Sequence, residues 1–409
     1  MERVVITGLG LISCLGRDRD EITDSLRSGT PGLVRDPRRM ELGFQSPLTG
    51  ALRDFDPRRW VSRKERRAMG EPALYAACAT LEALEHAGLG RDALRGPDYG
   101  VVFGNDSTCG AAYDYGARTV AEGSTRGLGA SAVVECMNSS PNINLSVLLG
   151  TQGACWTVSA ACASGAHAIG QAWGLVATGQ QQAVVCGGTQ ELHWAGMAGF
   201  DALGTFSTWD GDPAQAVRPF SADRMGLAPS GGGAALVVES LSHAQARGAP
   251  ILAEILAYAF SSDGSHVTSP SGAGAARCIR TALRQARVGP GEIEYVNAHA
   301  AGTPVGDRVE AQAILEVFGS SGPPVSSTKA LTGHECWMAG ASELAYTLLM
   351  CHGDFLAPNL NFSAPDPGLE ALDVITTTRH QRARLVLSNS FGFGGTNAAL
   401  VLRVPEDSP

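Results

Sequence analysis

Residues 157–167 read Thr157-Val158-Ser159-Ala160-Ala161-Cys162-Ala163-Ser164-Gly165-Ala166-His167. An apolar strand pattern ends here, the chain turns among small residues, and a helical pattern over 163–178 begins. Alternation of strands with helices is the signature of layered α/β proteins. This stretch therefore indicates the fold class, and the rest of the chain repeats the same alternation.

Strand-like and helical runs follow one another along the whole sequence. Strand patterns occupy 4–8, 100–104, 155–159, 183–186, 234–239 and 385–388, and helical patterns occupy 71–87, 163–178, 274–286 and 339–351. The run Ala-Val-Val-Cys at 183–186 has no polar face, which is typical of a strand covered on both sides. The sequence predicts an α/β fold.

A second strand-helix set begins beyond the middle of the chain. The dipeptide Ala249-Pro250 is followed by an apolar strand pattern over 251–258. We therefore expect two similar α/β halves, an N-terminal half over 1–250 that carries Cys162 and a C-terminal half over 251–409. Internal sequence identity is too faint to prove a duplication.

Composition excludes several classes of protein. The 409 residues are 44% hydrophobic and 17% charged, which is typical of a globular chain and excludes disordered and fibrous proteins. No apolar run approaches the roughly 18 to 20 residues that a membrane span needs. Residues 1–8 enter a strand pattern without a signal-peptide profile. We expect a cytoplasmic protein without a membrane span.

Charge and cysteine patterns exclude two further functions. The net charge of −9 comes from 31 basic and 40 acidic residues that are scattered along the chain, so no basic stripe is available for nucleic acid. The ten cysteines form neither a CxxC motif nor a Cys/His cluster at zinc spacing. We expect reduced cysteines in the core, with room for one reactive exception, and no metal site.

Cys162 stands where the helix in the opening stretch begins. Unpaired amide N–H groups and the positive end of the helix dipole favour a thiolate there, so we expect the thiol pKa to fall below its usual value of about 8.5. The turn also directs the sulfur out of the helix end, as a nucleophile requires. The alternative is one more core cysteine. We expect His167, further along the helix, to be structural.

Two further segments end in histidine. Residues 295–299 read Tyr-Val-Asn-Ala-His and precede the turn 302–307 and a helical segment with Glu310; residues 325–334 read Val-Ser-Ser-Thr-Lys-Ala-Leu-Thr-Gly-His. Histidines before glycine-rich turns are placed to project into a cleft, although each alone is more often a hydrogen-bonded structural residue. Lys329 is one of only two lysines, with Lys64, which indicates a need for an ammonium group.

A glycine-rich segment near the C-terminus offers backbone donors. Residues 387–398 read Leu-Ser-Asn-Ser-Phe-Gly-Phe-Gly-Gly-Thr-Asn-Ala. Such glycines let the backbone approach a ligand and supply N–H groups for an oxyanion hole, and the alternative is a plain turn between strands. Residues 8–13 read Gly-Leu-Gly-Leu-Ile-Ser and lack the third glycine of a dinucleotide fingerprint, so we discount a nucleotide site.

Together these stretches resemble the elongating β-ketoacyl-acyl-carrier-protein synthases, most closely the type I enzymes of bacterial fatty-acid synthesis. The resemblance runs from residue 4 to residue 398 and is carried by 62–64, 160–167, 303–307, 327–334 and 389–397. It implies the thiolase fold, in which two similar βαβαβαββ halves form a five-layer α/β/α/β/α sandwich. It also implies a dimer.

The resemblance implies a role for each matched residue. Cys162 would take an acyl group from carrier-protein phosphopantetheine, and His299 and His334 would bind the malonyl thioester and stabilise the enolate. Lys329, paired with Glu310, would orient the histidines. The backbone N–H groups of Cys162 and Phe393 would form an oxyanion hole, and Thr303 and Asp307 would support the catalytic residues. Phe391 would be the gate of the acyl pocket, which Phe200 and Met197 would line. No metal ion or organic cofactor is needed, because phosphopantetheine of the carrier protein holds the substrates.

Three departures from the family pattern concern the substrate. Residues 299–304 read His-Ala-Ala-Gly-Thr-Pro instead of His-Gly-Thr-x-Thr-Pro, so a threonine hydroxyl that helps hold pantetheine is missing at Ala301. The usual Arg-Asp-Gly-Phe becomes Arg224-Met225-Gly226-Leu227, and Glu335-Cys336-Trp337-Met338 stands where small residues are common. The departures suit a specialised synthase, such as a polyketide or polyene ketosynthase paired with a chain-length-factor-like chain.

Three functions stay open from the sequence. The first is a decarboxylating condensing enzyme of fatty-acid or polyketide synthesis, which acts with acyl carrier protein as a homodimer or with a homologous partner. The second is a non-catalytic partner subunit, but such subunits typically lack the active cysteine. The third is a thiolase-like enzyme that acts on coenzyme A thioesters and uses a second cysteine as an acid. The residues Cys-His-Gly at 351–353 are similar to its Cys-x-Gly signature. The paired histidines and the Phe-Gly-Phe-Gly-Gly segment favour condensation.

Overall fold

The computed structural model describes residues 1–406. The strands in that part are β1 (Val4–Ile12), β2 (Leu33–Arg35), β3 (Leu48–Gly50), β4 (Tyr99–Gly104), β5 (Cys155–Val158), β6 (Ala183–Gln190), β7 (Gly232–Ser240), β8 (Ala253–Ser262), β9 (Tyr295–Asn297), β10 (Val325–Ser326), β11 (Leu385–Gly392) and β12 (Thr396–Arg403). The α-helices are α1 (Arg19–Ser28), α2 (Pro37–Glu41), α3 (Glu71–His86), α4 (Gly110–Glu122), α5 (Ala132–Glu135), α6 (Ser140–Leu149), α7 (Ser164–Ala177), α8 (Trp194–Ala202), α9 (Leu241–Ala246), α10 (Ala273–Ala286), α11 (Pro304–Phe318), α12 (Lys329–Thr332) and α13 (Ala339–His352). Within residues 1–406, no helix combines the length and the apolar character that crossing a membrane requires.

Ten strands form one sheet in the order β10-β9-β11-β12-β8-β1-β7-β6-β4-β5. The sheet consists of two five-stranded halves that meet where β1 pairs antiparallel with β8. Counted outward from this junction, one half runs β1-β7-β6-β4-β5 and the other β8-β12-β11-β9-β10. The five strands of each half can be numbered one to five along the chain. In both halves their order across the sheet is then first, fifth, fourth, second and third.

Helices form three layers around the two halves of the sheet. Helices α7 and α13 pack against each other and contact strands of both halves, so they form the middle layer. Helices α3 and α6 cover the outer face of the N-terminal half, and α10 and α11 cover the outer face of the C-terminal half. Strands β6 and β7 are buried along their whole length, as expected between two helical layers. The predicted five-layer α/β sandwich is confirmed.

The strands extend further than the sequence pattern indicated. The strand predicted at 183–186 continues to Gln190, and the one predicted at 385–388 continues to Gly392. Gly187, Gly188, Asn389 and Gly392 lie in these extensions, and because glycine and asparagine are depleted in strands, residue propensity does not predict the extensions. The predicted division at residue 250 falls between α9 and β8, and we propose this connection as the junction of the halves.

Candidate active site

Cys162 lies in the turn between β5 and α7. It is 5% exposed and precedes the first helical residue, Ser164, by two positions. Ala161 has a φ of +49°, a left-handed conformation that is uncommon for a residue with a side chain. The Ser164 hydroxyl accepts the Ala160 N–H at 2.8 Å and donates to the Ala161 carbonyl at 2.6 Å. These bonds hold the turn closed behind the sulfur.

Two histidines of the C-terminal half approach Cys162. His299 follows β9, and His334 follows α12. His334 Nε2 lies 3.1 Å from Cys162 Sγ, and the two imidazole rings lie edge to face with centroids 5.2 Å apart. The sulfur and one ring nitrogen of each histidine all lie within 4.8 Å of one another. One small reacting group can therefore contact all three side chains.

Lys329 lies behind the histidines in a buried ion pair with Glu343. Its Nζ is also 3.4 Å from His299 Nδ1. Because an ammonium group only donates, this contact makes Nδ1 the acceptor and assigns the ring proton to Nε2. The predicted pairing of Lys329 with Glu310 is wrong, since the packing of α13 brings the Glu343 carboxylate to the ammonium group instead.

Glu310, on α11, fixes the backbone beside His299. Its Oε1 accepts the His299 N–H at 2.9 Å and the Asn389 side-chain amide at 3.3 Å. Burial raises the pKa of Glu310 to about 7. The carboxyl group thus ties the segment that carries His299 to strand β11.

Burial decides the charge states in the site. Burial, and then the charge of Lys329, lower the pKa of both His299 and His334 well below 6.5, so both rings are neutral at pH 7. Burial raises the pKa of the Cys162 thiol to about 12, although Lys329 acts in the opposite direction. The expected lowering of the thiol pKa is wrong, because loss of hydration outweighs the nearby positive charge. The resting group is a thiol beside a neutral imidazole.

The hairpin of β11 and β12 turns next to Cys162. A Cβ atom at Gly392 would lie 3.1 Å from the Cys162 amide nitrogen and 2.5 Å from Thr396 Oγ1. Glycine therefore leaves open the space next to this amide, as an oxyanion hole requires. The Thr396 hydroxyl donates to the Ala160 carbonyl at 2.9 Å, which ties the hairpin to the turn that carries Cys162. The next residue after Gly392, Phe393, begins a 3-10 turn.

Asp307 holds the loop between β9 and α11. Its carboxylate accepts the backbone N–H groups of Ala301, Gly302 and Thr303 at 3.0 to 3.1 Å. It also accepts the N–H of Phe220 at 2.9 Å. The three backbone donors at 301–303 fix the loop on one carboxylate, although Ala301 has no hydroxyl to offer a ligand.

Comparison with known proteins assigns the family. The model of the beta-ketoacyl synthase N-terminal domain matches residues 1–244, and that of the C-terminal domain matches residues 252–363. The chain belongs to the β-ketoacyl synthase family. It is 40% identical over 408 residues to 3-oxoacyl-[acyl-carrier-protein] synthase 1 of Haemophilus influenzae, with 98% of this chain and 99% of the relative covered. It is 38% identical over 412 residues to the protein of the same name from Escherichia coli K12, with both chains fully covered.

Solved structures agree with this assignment. A β-ketoacyl synthase from Burkholderia phymatum STM815 superposes with a TM-score of 0.94 at 36% identity, over 99% of this chain and 100% of that one. The ishigamide ketosynthase/chain length factor gives 0.91 at 31% identity, over 99% of both chains. A third match is the AntDE:AntF structure, described as a type II PKS acyl-carrier protein in complex with its ketosynthase bound to the hexaketide. It superposes with a TM-score of 0.90 at 27% identity, over 99% of this chain and 100% of that one.

The synthase has a cavity of about 370 Å³ that reaches the catalytic candidates. Cys162, His299 and His334 lie in its wall, together with Thr303 and the predicted gate Phe391. The ring centroid of Phe391 is 6.3 Å from that of His299. The structure thus brings the predicted nucleophile, both histidines and the predicted gate to one cavity.

An apolar cluster also surrounds the nucleophile of the synthase. Its buried members are Cys162, Met197, Phe206, Leu227, Ala301, Cys336 and Trp337, with Phe44, Ala161 and Phe200 at its edge. The ring of Phe200 lies 6.1 Å from that of Phe206 and 6.0 Å from that of Trp337. It also lies 5.9 Å from Phe393, so it connects the cluster to the glycine-rich turn. Met197 and Phe200, predicted for the acyl pocket, both belong to this cluster.

Some functional candidates in the synthase escaped the sequence analysis. Glu343 is the only charged residue in 339–351. Because a single acid in an otherwise apolar helix needs a buried partner, this pattern is the sequence signal for an ion pair at Glu343. Phe206 carries no comparable signal, since an isolated phenylalanine is most often a core residue. In the sequence, Trp337 stands out only as a departure from the family pattern.

The donor set of the site does not favour a metal ion. Cys162, His299 and His334 could reach one cation by distance. The ammonium group of Lys329, 3.4 Å from His299 Nδ1, places a positive charge beside these donors and disfavours a divalent cation. The same three groups suit acyl chemistry without a metal.

Two other residues considered from the sequence lie in structural positions. His167 Nδ1 is 2.5 Å from the hydroxyl of Tyr258, and burial lowers the pKa of His167 to about 4. Cys351 is buried in the central apolar cluster, which does not include Cys162. The position of Cys351 gives no support to a thiolase-like acid at 351.

Proposed function

We propose that the synthase catalyses decarboxylative Claisen condensation of a malonyl thioester with an acyl thioester held on Cys162, giving a 3-oxoacyl thioester in chain elongation. The supporting observation is that Cys162 Sγ and nitrogens of His299 and His334 lie within 4.8 Å of one another beside a cavity. A thiol can hold the acyl group, and two imidazoles can stabilise an enolate. The cysteine also argues against the alternative of a non-catalytic partner subunit.

In the first half-reaction, Cys162 Sγ attacks the carbonyl carbon of an incoming acyl thioester. A new C–S bond forms while the thiol proton passes to His334, whose Nε2 is 3.1 Å away. The N–H groups of Cys162 and Phe393 are the proposed donors to the oxyanion. When the tetrahedral intermediate collapses, the original C–S bond breaks, and the leaving thiolate takes the proton from His334.

In the second half-reaction, the malonyl group loses carbon dioxide. The bond from the malonyl carboxylate to the α-carbon breaks, and the electron pair forms an enolate. The Nε2–H of His299 stabilises this enolate, together with the Nε2–H that the neutral His334 ring presents once its proton has exchanged from Nδ1 to Nε2. The α-carbon attacks the acyl carbonyl on Cys162, so a C–C bond forms and the C–S bond to Cys162 breaks. The thiolate then takes up one proton, which restores the enzyme.

The neutral histidines suit this sequence of steps. A protonated ring would attract the malonyl carboxylate and stabilise the ground state, whereas a neutral N–H donor acts where enolate charge develops. Lys329 contributes by lowering the pKa of both rings. We infer that Lys329, held by its ion pair with Glu343, helps to keep the two histidines neutral. Glu310, Thr303 and Asp307 maintain the geometry of the loop that carries His299.

We propose that acyl carrier protein presents both substrates on phosphopantetheine, and that no metal ion or organic cofactor takes part. The names of the relatives, 3-oxoacyl-[acyl-carrier-protein] synthase 1, support this partner, as does the structural neighbour described with its acyl-carrier protein. The thiol and two imidazoles provide the required nucleophile and donors. The cytoplasmic location stays a prediction.

We also propose that a second chain covers strand β5. This strand is at the outer edge of the sheet, and within residues 1–406 it pairs only with β4. Its residues Cys155 and Trp156 are exposed, and Ile143 and Val147 on the adjoining α6 are exposed as well. An open strand edge with apolar side chains is a site for pairing with another chain. The partner is a second copy or a homologous chain-length-factor-like chain.

A specialised pathway is the second candidate function. Leu227 and Trp337, both departures from the family pattern, belong to the apolar cluster around Cys162. Two structural neighbours are an ishigamide ketosynthase/chain length factor and a type II PKS ketosynthase. This candidate keeps the same chemistry and changes only the acyl chain and the partner.

Mass spectrometry tests the proposed function directly. The synthase is incubated with acyl carrier protein that bears a short acyl chain, and its peptides are then analysed. We expect one acyl adduct, on the peptide with Cys162, and none after Cys162→Ala. An adduct on Cys351, or none at all, contradicts the proposal. Adding malonyl-carrier protein should then release carbon dioxide, and product chain lengths with and without a homologous partner decide between the two pathways.

A further inference from the structure

A carboxylate that takes no part in the proposed chemical steps holds the turn that carries Cys162. Asp106, in the loop after β4, accepts the Ala161 N–H on Oδ2 at 2.9 Å and the Ser159 hydroxyl on Oδ1. Asp106 is not among the residues that line the cavity, so it is not placed to touch bound substrate. Its contacts with the turn therefore need an explanation of their own.

Ala161 is the residue in this turn that needs a restraint. Its φ of +49° lies in the left-handed region, which costs a residue with a side chain on the order of 1 kcal/mol or more. Such a conformation persists only where surrounding contacts hold it. A hydrogen bond from the Ala161 amide to a charged carboxylate is stronger than one to a neutral acceptor, and Asp106 provides it.

The loop that carries Asp106 is itself fixed at both ends. The Asn105 N–H donates to the Val158 carbonyl at 3.2 Å, and the Asn105 side chain donates to the Asn138 carbonyl at 2.9 Å. At the other end, Glu191 Oε1 accepts two backbone N–H groups at the start of α4, at 2.7 and 3.0 Å. A carboxylate held in this way can determine the position of its partner.

We propose that Asp106 is a positioning residue for the nucleophile. It fixes the turn 159–162 so that the Cys162 amide and sulfur face the space that Gly392 leaves open. This inference rests on the proposed function, because it concerns acyl transfer onto Cys162.

Charge gives the same residue a second, measurable effect. Lys329 lowers the pKa of the Cys162 thiol, whereas Asp106 and then Glu343 raise it. The other titratable groups near the sulfur are His299 and His334, which are neutral at pH 7, and Cys336, a thiol whose pKa burial raises well above its usual value. Removing the Asp106 charge should therefore lower the thiol pKa, and a residue that only supported the fold would not produce this shift.

Three single variants and one double variant test the inference. Asp106→Ala removes both hydrogen bonds, whereas Asp106→Asn keeps an oxygen acceptor for Ala161 and removes the charge. Asp98→Asn is the matched control, because Asp98 lies at the opposite end of β4 and its side chain forms no hydrogen bond or ion pair among residues 1–406. For each protein, acylation of Cys162 by acyl carrier protein and alkylation of Cys162 by iodoacetamide against pH are measured by peptide mass spectrometry.

We expect Asp106→Ala to slow acylation about tenfold or more, since small displacements of a nucleophile reduce rates strongly. Asp106→Asn should stay within about threefold of the parent, while its alkylation curve moves to lower pH. Adding Ala161→Gly to Asp106→Ala should restore part of the rate, because glycine adopts a positive φ without strain. Asp98→Asn should change neither measurement.

Two results would overturn the inference. One is acylation by Asp106→Ala at the parent rate, and the other is an unchanged alkylation curve in Asp106→Asn. If Asp106→Ala fails to fold, the alkylation curve of Asp106→Asn decides whether the inference holds. If the parent itself is not acylated, the proposed function fails, but alkylation requires no carrier protein and still decides whether Asp106 acts on the thiol.

Discussion

His334 Nε2 lies 3.1 Å from Cys162 Sγ, although 172 residues separate them along the chain. Cys162 precedes α7 in the N-terminal half, and His334 follows α12 in the C-terminal half. The contact exists because α7 and α13 pack together in the middle layer, between both halves of the sheet. Neither half alone contains a nucleophile with its histidine pair.

Removing either histidine should suppress carbon dioxide release from malonyl-carrier protein. We expect His299→Ala and His334→Ala to slow the release by about 10²-fold or more, which is the effect of removing one donor to developing negative charge. The release is measured with labelled malonate. The control is His380→Ala, since His380 is exposed on the surface. Release at the parent rate in either variant contradicts the assigned roles.

The Cys162 thiol should react slowly at neutral pH. With burial raising its pKa to about 12, the thiolate fraction increases with pH throughout the accessible range. Alkylation of the Cys162 peptide by iodoacetamide should therefore rise about tenfold per pH unit from pH 7 to 10. Cys162→Ala identifies the adduct. A rate that levels off below pH 8 means that the helix end and Lys329 outweigh burial.

Lys329→Met should affect both stability and pH dependence. It leaves the Glu343 carboxyl group buried without its partner, which costs about 3 to 5 kcal/mol of unfolding free energy. Lys329 lowers the pKa of His299 and His334, so its removal raises both values and increases the protonated fraction in acid. The acidic decline of carbon dioxide release should move to higher pH.

Urea unfolding and a pH–rate profile check this prediction. Lys329→Met combined with Glu343→Met serves as the comparison, because it removes both charges and should recover stability without restoring the position of the acidic decline. An acidic decline at the same pH in all three proteins refutes the electrostatic role.

Gly392→Ala should block acyl transfer. The new Cβ would lie 3.1 Å from the Cys162 amide nitrogen, in the space proposed for the oxyanion, and 2.5 Å from Thr396 Oγ1. We expect acylation to fall by about 10²-fold, as for loss of an oxyanion donor. The control is Gly174→Ala, because a Cβ at Gly174 meets nothing within 4 Å. Normal acylation by Gly392→Ala, measured as the rate of adduct formation, excludes this placement of the oxyanion.

Trp337→Leu should extend the range of acyl chains accepted. Trp337 is 6% exposed in the apolar cluster around Cys162, so a smaller side chain leaves space near the acyl group. We expect longer chains to compete better for Cys162 in mixtures of acyl-carrier proteins, with a loss of about 2 to 5 kcal/mol in stability. Trp209→Leu, in a separate cluster, is the control. An unchanged chain-length profile shows that Trp337 does not border the acyl chain.

Much of the site could be predicted because its residues stand in short local patterns. Cys162 follows a strand and precedes a helix among small residues, and His299 and His334 precede or follow glycine-containing turns. Chain geometry over a few residues creates such positions, so the sequence exposes them. The alternation of strands and helices likewise follows from local periodicity, and it indicated the layered fold.

The wrong predictions concerned partners and charge. The family resemblance implies that Lys329 pairs with Glu310, but which carboxylate reaches Nζ depends on how α13 packs, and this packing brings Glu343 to it. The thiol pKa was expected to fall from the helix end alone. Burial raises this pKa instead, and Cys162 is buried in a cluster that includes Met197 and Trp337, which are distant in sequence.

The sequence by itself determined the strand-helix order, the candidate nucleophile and the two histidines, because these depend on periodicity and turn chemistry over a few residues. Only the tertiary structure decided that the three groups share one cavity, that Glu343 neutralises Lys329, and that Asp106 holds the turn of Cys162. The hydrogen bond of Asp106 to Ala161 joins residues 55 positions apart, and the contact of His334 with Cys162 joins residues 172 positions apart. All of these relationships arise when packing brings distant segments together and removes water from between them.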